Sequence, residues 1–574
     1  MNTEQCVNGT GTPGFTGVAP GQGGAGYFSG LRGRLVDLAK EPMVAITTAV
    51  IVCGLFLFIV YPIAMVLIKS VFPNGVFTLS DYAEFFRKDF HLRCLYNSLL
   101  LACITTPITT FLSFVFAYMT RRGPKALRGF FRINAILPFV TPPFVFALAL
   151  IIIGGRNGLI SKFLGIEMSL FGWSGVIIAQ VLHFIPLAFI MIDTVMASLN
   201  PNMDEAAASL GASQLITLGT VTVPLCLPGI FKAALMIFIL SLADFGNPSL
   251  IGGGTPFLAT ESYLLVIGQN DLGMASVYSV MLLIPSLVLY YFHRYGVHED
   301  KFKTIGGAPT AREEHSVHPV IQIPMLIICL ATSFAILAIF AVIVGGAFTR
   351  IIGINNAFTM AHFSVSSSIF ALKNSVLTSF YSSIIGTIAG TALAYILVRK
   401  SVPGKMLLES ISLSGFAVPG TIVGIGFIIA FNNPPLALVG TMSIIVLSMI
   451  VRTLAVSVEA GMAKLYQIDK SIEEASHNLG ASSFQTFVKV VLPLMFAAFF
   501  GGMVYSFIYS MNTLSAVIFV ASPRYNLAPL AIFQLANEGR IGQACALSLF
   551  LILSVFLSLG VLKCVTKWMG FKNI

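Results

Sequence analysis

Twelve stretches of this chain stay apolar for about 18 residues or more, the length an α-helix needs to cross the hydrocarbon layer of a bilayer. Six precede a polar stretch around residues 293–318: Val44 to Val71, Leu95 to Met119, Ile133 to Gly154, Trp173 to Ala197, Leu225 to Asp244 and Ser276 to Phe292. Six follow it: Val320 to Val344, Leu372 to Val398, Leu408 to Phe431, Leu436 to Ala460, Leu494 to Val520 and Ile541 to Leu562. Only 10% of the 574 residues are charged, whereas about a quarter are charged in soluble domains. The pattern reads as an all-α membrane protein of twelve transmembrane helices.

Orientation follows from where the 33 Lys and Arg fall. With both termini cytoplasmic, 21 lie on inside segments and 8 outside, the remaining four (Lys69, Lys232, Lys373 and Arg452) standing within or at the edges of spans. That is the bias that retains basic loops in the cytoplasm. It accounts for the net charge of +10, and since no basic run is interleaved with aromatics, no nucleic-acid partner is expected. Residues 1–43 read as a flexible Gly-rich cytoplasmic tail, 44–292 as a first half, 293–319 as a cytoplasmic linker and 320–574 as a second half. The eight cysteines stand singly, with no metal-type spacing, so neither a disulfide nor a metal site is expected from them.

The halves are copies. The segment DEAAASLGASQLITLGTVTVPL from Asp204 matches EEASHNLGASSFQTFVKVVLPL from Glu473 without a gap, at a constant offset of 269. A weaker match at offset 277 pairs Asn97-Ser98 with Asn374-Ser375, Ala117-Tyr118 with Ala394-Tyr395, Arg122 with Arg399 and Pro142 with Pro419. Six spans being an even number, the second copy enters from the same side as the first. The fold is therefore two six-helix repeats in parallel orientation, related by a pseudo-twofold along the membrane normal, with a pathway between them.

Each copy of the matched segment lies between the fourth and fifth spans of its half, on the cytoplasmic side. Helix formers lead to Gly211 or Gly480, where glycine can adopt the left-handed cap that ends a helix. Pro224 and Pro493 then mark return to the membrane, in a first helical turn. The expected element is an elbow: a short surface helix, a tight turn and a second helix. An ordinary amphipathic loop has no reason to repeat Glu-Ala, Leu-Gly-Ala and Pro at identical spacing.

These residues resemble the signature of permease subunits of binding-protein-dependent ATP-binding-cassette importers, a Glu-Ala-Ala segment followed by Gly. The matching positions are Glu205, Ala206, Ala207 and Gly211, then Glu474, Ala475 and Gly480, with Ser476 in place of the third alanine. The resemblance implies that the elbows dock into homodimeric ATP-binding subunits, with Glu205 and Glu474 meeting basic residues there. It implies a bacterial cytoplasmic (inner) membrane location and a periplasmic or extracellular substrate-binding protein as second partner, with membrane lipid around the chain. No GxxxxGK[ST] loop is present. The chain itself is expected to be no enzyme and to carry no cofactor, ATP and Mg2+ belonging to the partner ATPase.

Ionisable groups at membrane depth are costly and point to function. His183 and Asp193, Lys232 and Asp244, and Arg452 and Glu459 occupy spans, and His183 falls on Arg452 at offset 269. His183 fits either a pathway group or a satisfied interhelical hydrogen bond. Asp193, Lys232 and Glu459 lie near cytoplasmic ends, where snorkelling would serve them. Asp244, about twenty residues past Pro224, is expected near the outer mouth, in a helix that Gly246 and Pro248 end or unwind beside Asn247. Tyr505, Tyr509 and Asn512 share one face of the corresponding helix, as a pathway stripe or as a packing face.

The run ADFGNP, then IGG and ATE, is similar to ferric-iron permeases of this family, and branches carrying phosphorylated sugar, phosphonate, thiamine or polyamine share much of it. Ferric ion favours oxygen ligands such as Asp244, Glu261 and tyrosines. A secondary transporter driven by an ion gradient is the alternative of another class. It would want buried carboxylates along the path and no docking elbows.

Overall fold

The computed structural model describes residues 41–155, 158–165, 169–200, 202–296, 318–364 and 366–568. The expected tail, residues 1–43, and linker, residues 293–319, lie mostly outside these. Besides short helices at Ser80–Arg87 and Leu159–Leu164, the first half comprises α1 (Pro42–Val71), α2 (Asp89–Arg122), α3 (Lys125–Ile136), α4 (Pro143–Gly154), α5 (Trp173–Ser198), α6 (Asn202–Ser209), α7 (Gln214–Leu242), α8 (Gly246–Ile251), α9 (Leu258–Gln269) and α10 (Leu272–Gly296). The second half opens with α11 (Pro319–Phe348) and a hairpin of β1 (Thr349–Ile351) and β2 (Asn355–Phe358), paired antiparallel. It continues as α12 (Ser366–Arg399), α13 (Lys405–Leu413), α14 (Gly420–Phe431), α15 (Met442–Tyr466), α16 (Lys470–Asn478), α17 (Ser483–Leu494), α18 (Phe496–Asn512), α19 (Val517–Val520), α20 (Ala528–Asn537) and α21 (Ile541–Trp568).

Among the described residues ten helices are long and apolar enough to span a membrane, or up to twelve if two bent pairs each count as one. The two bent pairs correct two sequence-based spans, and a third is also broken. Leu408 to Phe431 turns by 111° between the helices ending at Phe416 and starting at Gly420, and Leu494 to Val520 turns by 75° before Phe496 and ends its long helix at Asn512. Ile133 to Gly154 is likewise interrupted, α3 giving way to a 3-10 turn at Leu137–Val140 before α4 begins. Prolines 138, 142, 143 and 419 cluster at these breaks, and each removes a donor that a continuous helix requires.

The paired Asn-Ser dipeptides have a structural reason. Backbone groups at a helix start have no partner within the helix. The N–H of Leu258, first residue of α9, donates to Ser98 Oγ on α2 at 2.8 Å, and that of Ala528, first residue of α20, donates to Ser375 Oγ on α12 at 2.7 Å. Asn97 and Asn374 donate from Nδ2 to the carbonyls of Pro256 and Asn526 at 3.0 and 3.1 Å. Both halves thus pin an internal helix by the same four groups.

The first span of each half crosses to the other. In α1, Phe58 and Tyr61 pack on Phe431 of α14, and a Cβ on Gly426 would lie 2.9 Å from the Pro62 carbonyl. In α11, Phe340 packs on Phe146 of α4. The ends of these spans brace the opposite elbow. Glu41, just before α1, pairs with Lys400 at 2.7 Å, and Lys400 also donates to Ser483 at 3.1 Å. His318, just before α11, donates its N–H to the Gln214 side chain. Glu41 and His318 correspond at offset 277, Gln214 and Ser483 at offset 269.

Partial burial raises the Glu41 carboxyl, but hydrogen bonds involving Lys400 and Ser483 and the Lys400 charge outweigh it and hold the group below the ordinary carboxylate range. A carboxyl depressed in the folded state stabilises above its unfolded value and loses that contribution as pH falls through its folded value. Hydrogen exchange at α17, corrected for intrinsic rates, should therefore be level from pH 7 to 5 and rise only below about pH 4, with no such step in Glu41→Gln. Ser98→Ala and Ser375→Ala each strand a buried N–H and should cost about 1–3 kcal/mol, seen as a lowered Tm. Ser554, whose hydroxyl bonds Leu551 in its own helix, serves as the unaffected control.

Candidate functional site

A cavity of about 140 Å3 lies between the halves, and its wall is built from corresponding positions of the two copies. Phe139 faces it with Phe416, His183 with Arg452, Met236 with Tyr505, Leu240 with Tyr509, Ala243 with Asn512 and Asp244 with Thr513. The first pair is related by offset 277 and the rest by 269. The pseudo-twofold therefore runs through this space. Of the residues expected along a pathway, His183, Asp244, Arg452, Tyr505, Tyr509 and Asn512 all line it. Asn247 does not; it is buried behind Asp244. The copies have diverged in chemistry: the stripe that is Tyr-Tyr-Asn on α18 is Met-Leu-Ala on α7.

Each polar group has a specific setting. Arg452 donates from Nε to the Tyr509 hydroxyl at 3.0 Å, with Nη2 on the same oxygen, and from Nη1 to the Val418 carbonyl at 3.2 Å. Asn512 donates from Nδ2 to the Phe139 carbonyl at 3.1 Å. In an unbroken helix that carbonyl would accept from residue 143, but Pro143 has no N–H, so a side chain of the other half supplies the donor. Of the two readings of His183, the satisfied hydrogen bond does not hold at Nδ1, which is buried with no hydrogen-bond partner among the described residues.

Asp244, expected near the outer mouth, lines the cavity and is held from several sides. Its oxygens accept from Gln180 Nε2 at 2.9 Å, Asn247 Nδ2 at 2.8 Å and the N–H groups of Gly246 and Asn247 at 3.0 and 3.4 Å. It fastens the start of α8, which Gly246 and Pro248 begin rather than merely break off from α7. Glu261 is not part of the cavity wall. Among the described residues no group of three or more His, Cys, Asp or Glu gathers as a metal site.

The groups expected to snorkel each have a charged partner. Asp193 accepts two bonds from Arg121, at 2.5 and 2.8 Å. Lys232 on α7 meets Glu459 on α15 at 2.7 Å, an ion pair between the halves. Glu459 lies seven residues past Arg452, about 10 Å along the helix, so the pair stands on the elbow side of the cavity.

Both elbows have the expected form. Gly211 and Gly480 take φ of +82° and +85°. Their N–H groups bond the carbonyls of Ala208 and His477, while those of Ala212 and Ala481 bond Ala207 and Ser476, the paired bonds of a Schellman turn. Ser213 and Ser482 then cap the second helices. These helices pass through π turns at Leu218–Thr222 and Phe487–Val491, where Pro224 and Pro493 cannot donate to the residue four back. Ala206, Glu474 and Ala475 are exposed and Ala207 half-buried; Glu205 stands in α6, its side chain outside the described residues. Ser476, the departure from Glu-Ala-Ala, bonds Thr486 at 3.0 Å and so ties α16 to α17.

One anchor was missed. Glu473, next to the signature glutamate, is buried and accepts from Arg399 at 2.6 Å and Tyr395 at 3.3 Å. Arg399 also reaches the carbonyls of Leu465 and Ile468. The repeated Ala-Tyr and Arg positions carried the signal, since a repeat constrained only by lipid has no need of an arginine.

The family described as binding-protein-dependent transport system inner membrane component matches residues 103–297 and 382–570, one copy in each half. The chain belongs to this family. It is 32% identical over 503 residues to a putative ferric transport system permease protein of Haemophilus influenzae, covering 85% of this chain and 80% of the relative. It is 31% identical over 516 residues to a ferric transport system permease protein of Actinobacillus pleuropneumoniae, covering 88% and 75%. A putative 2-aminoethylphosphonate transport system permease protein of Salmonella choleraesuis is 29% identical over 202 residues, 35% of this chain and 76% of that one. Membership in a binding-protein-dependent permease family, matched twice along one chain, identifies a fused two-domain permease and sets aside the ion-gradient carrier.

The Lys232–Glu459 pair is more than a third exposed on the glutamate side, so its net worth is about 0.2–1 kcal/mol. Reversing either charge alone should lower Tm, and the double reversal Lys232→Glu with Glu459→Lys should recover it. A thermal double-mutant cycle with no coupling would show that the two groups act independently.

Proposed function

We propose that this permease forms the whole transmembrane path of an ATP-driven importer of ferric iron. The cavity carries the reading, because both copies contribute to it and it is continuous through α7 and α18 with the elbows. The cargo is taken from the two relatives named as ferric transport permeases. Two copies of an ATP-binding subunit would hold ATP and Mg2+ and receive one elbow each. That face, with both termini, is cytoplasmic in a bacterial inner membrane, and an extracytoplasmic binding protein delivers cargo to the opposite face.

Closure of the ATPase dimer would push α6 and α16, and the push passes into the helices that bear the cavity wall. The crossed braces at Glu41 and His318 make each elbow's movement bear on the opposite half. The Lys232–Glu459 pair parts when the cytoplasmic side opens. Ferric ion seeks several oxygen ligands, yet the oxygens of Asp244 are already occupied by four donors and Arg452 adds a positive charge to the wall. Cargo is therefore passed along rather than held, and selection belongs to the binding protein.

Reconstitution in liposomes with the ATP-binding subunit and the binding protein should give ATP-dependent uptake of radioactive ferric iron. Glu205→Gln with Glu474→Gln should cut uptake about tenfold or more while hydrolysis continues. Unchanged uptake would remove the glutamates from coupling, and accumulation of 2-aminoethylphosphonate in place of iron would overturn the cargo.

A further inference from the structure

Leu210 and Leu479 occupy the same place in the two elbows, immediately before Gly211 and Gly480, and each is 89% exposed. Among the described residues no other large hydrophobic side chain is as exposed; the next, Phe334 on α11, is at 74%. Lipid-facing side chains on the spans thus fall short of them. Two further exposed apolar positions repeat with each leucine: Met203 with Ile472, and Leu215 with Phe484. All three pairs keep the offset of 269, while neighbours have drifted, Gln214 to Ser483 and Ile216 to Gln485.

The turn does not need these leucines. Its backbone bonds are complete through glycine, alanine and the capping serine, and any helix former suits the residue before the glycine. An apolar side chain held out from the apex of a satisfied turn, twice, has no partner among the described residues and is a mark of an interaction site.

We propose that Leu210 and Leu479, each flanked by its two apolar neighbours, are the knobs that seat the elbows in apolar sockets on two copies of one ATP-binding subunit. The inference rests on the importer reading and deepens it, assigning the adhesion to the leucines and leaving the glutamates the transmission of force. A single kind of partner follows from the repetition: two diverged elbows have retained the same three apolar positions, which matches one socket used twice. Apex placement favours a protein socket over lipid, since a lipid-seeking face is spread along a helix.

The test uses the full chain in lipid nanodiscs and the purified ATP-binding subunit of the importer. Leu479→Ala or Leu210→Ala should weaken binding about tenfold and the double variant about a hundredfold, as for a side chain central to an interface, while Leu→Met at both positions should bind nearly as the parent does. Binding of the double variant equal to the parent overturns the knobs alone; an ATP-binding subunit that ignores the parent chain overturns the importer reading itself. Leu479→Cys supplies an independent readout with a hydrophilic thiol reagent, followed by site-resolved mass spectrometry. Protection on adding the subunit supports the proposal. Protection in lipid without the subunit, or labelling unchanged by it, overturns it.

Discussion

Within a bilayer every backbone donor and acceptor must find a partner in the protein, because lipid offers none. That constraint organises this molecule. Unbroken helices meet it alone, and several breaks have a named side chain in attendance. Asn512 covers the carbonyl that Pro143 orphans, Arg452 covers Val418, Asp244 covers the start of α8, and the two Asn-Ser pairs cover α9 and α20. Most of these side chains reach from another helix, and Asn512 reaches from the other half. The breaks are thus joints between helices, and they gather around the cavity and at the helices inserted beyond it.

Duplication explains why the cavity lies where it does. A twofold between parallel halves has one line along which corresponding residues face each other, and the cavity wall is made of such pairs. Divergence has been allowed in chemistry but not in position. One stripe is Met-Leu-Ala and its counterpart Tyr-Tyr-Asn, so corresponding helix faces are apolar in one half and hydrogen-bonding in the other. The elbows diverged less, keeping the turn, the cap and the exposed apolar positions in both copies.

The braces join these two regions. Because α1 and α11 each cross to the other half, the residue before each span ends beside the opposite elbow. Glu41 does this through a cation, His318 through its backbone, and the two solutions differ in chemistry while sharing a place. The second elbow carries the further buried pair of Glu473 and Arg399. Force applied at either elbow therefore enters a structure already tied to both halves.

Much of this was legible beforehand, for a physical reason. Spans, duplication and elbow depend on short-range matters: apolar length, a gapless offset, a glycine able to take positive φ. They are carried by the chain itself, and so was the grouping of His183 with Arg452. What a linear pattern does not hold is which distant groups meet. The bends at Pro419 and before Phe496, the pairing of Lys232 with Glu459, the enclosure of Asp244 by four donors and the crossing of the first spans arise only when helices pack. A charge in an apolar run announces that something must compensate it; where the compensating partner stands was decided by the tertiary structure, because desolvation is paid by whichever group packing brings within reach.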